Sequence, residues 1–175
     1  MRPKHVFLLS LLIPACASSP SANRKSAIEI KEIHPSGWTT KTREALEGLL
    51  VRYDLSPFLF TKTVRIQSGV VPHSHPVLTL NTFHADDPDA ILDEFLHEQM
   101  HWFLAEHESQ TDTLISELKK TYPVLPRGRS EVARSEESTY LHLIVGWLEL
   151  QAVRHYLGSQ KAEEILGSSD HYKWI

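Results

Sequence analysis

Leu96-His97-Glu98-Gln99-Met100-His101-Trp102 lies inside a longer run whose apolar residues, Ile91, Leu92, Phe95, Leu96, Met100, Phe103 and Leu104, recur at three and four. That is the period of a helix with one apolar face. Asp86-Asp87-Pro88 just before it is a helix start, because a carboxylate can accept from the first backbone N–H groups and proline needs no donor at the first helical position. The pattern predicts a helix from there to about Ala105 or beyond. On such a helix His97 and His101, at i and i+4, stand one above the other. Both imidazoles can then reach a single Zn2+ at about 2.0–2.1 Å, while Glu98 beside them addresses a water.

Working outward, the surroundings of this helix predict a domain of mixed α+β class. Ile28, Ile30 and Ile33 among charged neighbours suggest a strand ended by Pro35-Ser36-Gly37. Thr39 or Thr40 is a candidate cap for a helix through Leu46 and Leu49 to about Tyr53. Thr61 to Val71 and Val77 to Thr82 have strand character, as a hairpin or as neighbouring strands, so a small antiparallel or mixed sheet is expected against the His97–His101 helix. A helix over Thr113 to Lys120 and a long one from Ser130 to Leu157, closed by Gly158, complete the reading.

The chain has 175 residues, 41% hydrophobic and 23% charged, which fits one compact domain. A net charge of −4 argues against nucleic acid as a partner, since phosphate binding needs a basic surface. The single cysteine excludes an intramolecular disulfide and a four-thiolate zinc site, so a metal here must be held by histidine and carboxylate. Arg2 and Lys4 before the apolar run Val6 to Ile13 read as a signal peptide over residues 1–15, too short to span a membrane. Ile13-Pro14-Ala15-Cys16 resembles the bacterial lipoprotein box. Cys16 is therefore expected to carry a lipid, with residues 16–27 as a small polar tether and 28–175 as the domain. The alternative is cleavage after Ala17 by the ordinary signal peptidase. Either way the protein is expected to be exported: a lipoprotein on the periplasmic side of a bacterial membrane, touching it only through the anchor, or a cell-envelope or secreted protein.

From the His97–His101 motif the chain resembles the zincin metallopeptidases, in which this helix packs beside a sheet whose edge strand binds substrate. It is also similar, through Leu96 to Trp102, Ser138-Thr139-Tyr140-Leu141-His142-Leu143 and His171-Tyr172-Lys173-Trp174-Ile175, to a group of small bacterial proteins. The resemblance implies a zinc-dependent hydrolase, a metallopeptidase acting on a peptide or protein, with Glu98 as general base. The alternative class is a zinc-binding or partner-binding lipoprotein without turnover.

Three residues compete for the third ligand. His107 has metzincin spacing, but Leu104 stands where that pattern needs a glycine to swing the last histidine back. His142 and Glu149, at i and i+7 in the long helix, share a face yet lie about 10 Å apart along the axis. They cannot both bind one ion. His142 is the first choice, because a neutral imidazole buries more cheaply than a carboxylate, with Glu149 the alternative ligand or an orienting partner of His97 or His101. His73-Ser74-His75 offers a second metal or substrate contact. His171 is a candidate to donate to a developing oxyanion.

Overall fold

The chain is described by a computed structural model covering residues 28–126 and 133–168. The signal-peptide segment, Cys16, the tether, Ser130 and His171 lie outside these described residues.

Strand β1 (Glu29–Ile33) leads into helix α1 (Gly37–Arg52). The cap is Ser36 rather than Thr39 or Thr40: its hydroxyl accepts from the Thr39 N–H while the Thr39 hydroxyl accepts from the Ser36 N–H. That reciprocal pair satisfies two donors which the first helical turn leaves open. After a 3-10 turn at Ser56–Phe58 come β2 (Thr63–Gln67) and β3 (Leu78–Leu80).

The three strands are ordered β1-β2-β3 and all run parallel, with Ile30 opposite Val64 and Val64 opposite Leu78. The expectation of an antiparallel or mixed sheet is corrected on this point. α1 carries the chain back between β1 and β2, a crossover that yields parallel partners. Between β2 and β3 the segment 68–77 does not make a tight hairpin. It returns the length of a short strand and then folds onto β3 itself, where His73 and Thr79 exchange both backbone hydrogen bonds at 3.1 and 2.8 Å. This bridge is the one antiparallel pairing among the described residues, and it occupies Thr79 on the outer side of β3.

Helix α2 (Pro88–Glu106) carries the histidine motif and begins as expected, with Asp87 accepting from the Asp89 and Ala90 N–H groups. It packs on α1 and β3 with one side and on helix α4 (Glu136–Leu157) with another. Leu92, Phe95 and Leu96 are completely buried there, together with Leu46, Val64, Leu78 and Val153, and Leu80 is buried beside them. Side chains of that size contribute about 1.5–3 kcal/mol each on leaving water, so α2 is the rod on which the domain is assembled.

Helix α3 (Glu108–Thr121) starts well before Thr113. His107 separates it from α2, with Nδ1 donating to the Phe103 carbonyl at 2.8 Å and its ring 4.3 Å from that of Phe103. α4 begins at Glu136 with Ser135 as cap, later than the expected start at Ser130. Residues 133–135 precede the helix and are not part of it. Gly158 ends α4 at φ 81°, a conformation that favours glycine. A further helix, α5 (Ser159–Ser168), follows and buries Ala162 against α4. Among the described residues no helix is long and apolar enough to cross a membrane.

Candidate metal centre

His97 and His101 project from α2 toward α4, and α4 returns His142 to meet them. One ligand nitrogen from each of the three lies within 4.8 Å of the other two. The ring centroids are 5.1 Å apart for His97 and His101, 5.7 Å for His97 and His142, and 5.0 Å for His101 and His142. All three are half-buried. Three imidazoles converging from two helices are a donor set suited to a borderline metal ion such as zinc.

Glu149 does not join this group. Two turns along α4 from His142, its Oε2 accepts from His97 Nδ1 at 2.9 Å. The helix thus reaches His97 from two sides, with an imidazole near the ligand cluster and a carboxylate behind it. Nδ1 of His142 in turn donates to the Ser138 carbonyl at 2.6 Å. A proton placed on Nδ1 in both rings makes Nε2 the coordinating nitrogen. Of the candidates for the third ligand, the geometry therefore brings His142 to the cluster and sets Glu149 as an orienting partner. His107 is held at the joint between α2 and α3.

The charges around the cluster are unusual. Burial disfavours a protonated His97, but the Glu149 carboxylate, aided by Glu98 and Asp93, outweighs it and raises the pKa to about 9. His101 is pushed down to about 3 by burial and by the neighbouring His97, His142 and His75. Burial also lowers His142. Glu98, only 5% exposed, is raised to about 7, mainly by burial.

Two acids that the sequence reading passed over belong to this setting. Asp93 is buried close to Glu149, and burial together with the Glu149 charge raises its pKa; its Oδ1 has no hydrogen-bond partner among the described residues. Glu94 is raised to about 7 by burial and accepts the Asn81 N–H at 2.9 Å, joining α2 to the end of β3. A signal for both was present. Asp93, His97 and His101 form one stripe at i, i+4 and i+8, and Glu94 and Glu98 form another, on a helix that is otherwise largely apolar.

A cleft of about 550 Å³ opens beside His101. Leu104, Ile115 and Leu141 supply apolar walls, while Glu108, Asp112 and Glu137 make its polar part acidic. Ser74 and His75 line it from the segment that folds over β3. Comparison with protein-family models, with curated proteins and with solved structures found no match.

Proposed function

We propose that the chain is a zinc-dependent hydrolase, a peptidase acting on extended peptide outside the cytoplasm, with Cys16 as its lipid anchor. The observation that carries this reading is the convergence of His97, His101 and His142 within 4.8 Å; His101 also lines the cleft, and Glu98, next to His97 in the chain, is buried. Zinc bound to this triad would polarise a scissile carbonyl and acidify a water at the open position. Glu149 and the Ser138 carbonyl hold the His97 and His142 rings with their Nδ1 protons turned away from the cluster. Glu98 takes the proton of the attacking water and returns it to the amine that leaves as the C–N bond breaks. The walls of the cleft take the substrate chain and exclude water from one side of it.

Glu98→Gln tests the proposal, since it keeps the size of the side chain and removes its basicity. The zinc-loaded wild type should hydrolyse members of a broad peptide library, and the variant should retain its zinc while losing activity by a factor on the order of 10² or more. A folded, zinc-loaded wild type that cleaves nothing, and is indistinguishable from Glu98→Gln, would favour the binding-protein reading instead.

A further inference from the structure

His75 is an exposed histidine that is nonetheless held in place. Its ring stacks on the indole of Trp102 with centroids 4.3 Å apart and planes 22° from parallel. The same indole donates from Nε1 to the Ser74 carbonyl at 2.8 Å. Trp102 follows His101 directly on α2, so the strap 73–75 is registered against the metal helix itself. At its other end the strap is pinned to β3 by the pair of backbone bonds between His73 and Thr79. Two anchorages on one short segment, one to the sheet and one to the metal helix, fix the backbone on both sides of Ser74.

The consequence for His75 is positional. It lines the same cleft as His101, yet it is not one of the three residues whose ligand atoms converge. Its Nδ1 is engaged with the Ser74 hydroxyl at 2.9 Å. Nε2 is then the nitrogen that can meet a bound molecule. An imidazole held by stacking keeps its polar edge available, whereas one held by hydrogen bonds at both nitrogens would not.

We propose that His75 is a substrate-contacting residue of the cleft: it hydrogen-bonds the substrate oxygen that gains negative charge when water adds to the scissile carbonyl. The proposal rests on the hydrolase reading above and extends it to a residue outside the motif helix. Trp102 acts as a positioning residue, setting the His75 ring through the stack and the strap through the bond to Ser74. The occupant of the cleft is accordingly a chain with a carbonyl group, an ester or amide, lying between the strap and the wall formed by α3 and α4.

The test uses His75→Phe, which keeps a ring to stack on Trp102 but has no nitrogen, and His75→Gln, which keeps a hydrogen-bonding group. Zinc content should be unchanged in both. With phenylphosphonate as a tetrahedral oxyanion probe, zinc-loaded His75→Phe should bind about tenfold more weakly than wild type, His75→Gln should recover part of the loss, and azide should bind all three alike. Against a cleaved peptide, kcat of His75→Phe should fall by a factor on the order of 10² with little change in KM. Equal phenylphosphonate affinity in wild type and His75→Phe would overturn the proposal, as would loss of zinc from His75→Phe, which would make His75 a ligand. Because the phosphonate measurement needs no turnover, an inactive wild type would count against the hydrolase reading while leaving the contact of His75 separately decided.

Discussion

Glu149 bears on the candidate metal centre more than its place outside the three converging histidines suggests. It fixes the His97 ring at 2.9 Å, and it is what raises the His97 pKa to about 9 against the opposing effect of burial. Removing the side chain with Glu149→Ala should weaken zinc binding by about 10–100-fold, the usual range for a group that orients a ligand. Glu149→Gln, which retains an accepting oxygen, should lose less; competition against a chelator of known affinity measures both. The raised His97 pKa has a direct consequence for metal binding. A coordinating imidazole must be neutral, so at pH 7 an ion binding at the candidate site would have to displace a proton from His97. Zinc affinity should rise by about tenfold per pH unit from 7 to 9 and then level off, and calorimetry in buffers of different ionisation enthalpy should register the released proton. Affinity independent of pH across that interval would show that His97 is already neutral in the empty site.

At the scale of elements, the two positions between the catalytic-type residues of the motif have opposite visibility in the sequence. Met100 reads as core and is core, at 2% exposure. Gln99 reads as an arbitrary polar residue, yet it is completely buried. Its Oε1 accepts the Phe60 and Thr61 N–H groups and its Nε2 donates to the Thr61 carbonyl, all at 2.9 Å. The backbone just before β2 is thereby fastened to α2 at the level of the histidines. Gln99→Leu should destabilise the fold by about 2 kcal/mol, because it strands two donors and an acceptor on half-buried backbone, each costing about 1 kcal/mol or less. Chemical denaturation of the metal-free protein reads that loss directly. The start of α2 was legible because capping is a local matter of Asp87 and Pro88. The parallel course of β2 and β3 was not, since strand direction depends on where residues 68–77 lead the chain, and the His73–Thr79 bridge that turns them is a contact with no sequence signature. α5 was missed for a related reason: its burial of Ala162 depends on the surface that α4 presents.

Across the whole molecule, several groups around the candidate metal centre make the stability of the metal-free fold depend on pH. Glu94 and Glu98 have folded pKa values of about 7 against an ordinary 4.5, and Asp93 is raised above its ordinary 3.8. A raised carboxyl holds its proton longer in the folded state than in the unfolded one, so its contribution to stability is lost as pH climbs between the two values. His97 acts in the same sense. Its favourable contribution is complete below its ordinary value of 6.5 and disappears by about 9. His101 and His142, both lowered by burial, act in the opposite sense and gain stability as pH rises toward 6.5, so the melting temperature of the chelated protein should fall mainly between about pH 6.5 and pH 9, where the gap to the zinc-loaded protein widens. A flat metal-free profile would mean that these carboxyls are ionised in the fold. What the sequence by itself determined is local and periodic: the α2 helix, its cap, its apolar back, and the placement of His97, Glu98 and His101 on one turn. The i, i+4 rule needs no partner element to hold. That His142, rather than Glu149, stands within reach of His97 and His101 is visible only in three dimensions. Both lie on one face of α4, and which of them reaches the ligand cluster depends on how α4 crosses α2, a relation set by side-chain packing between residues far apart in the chain.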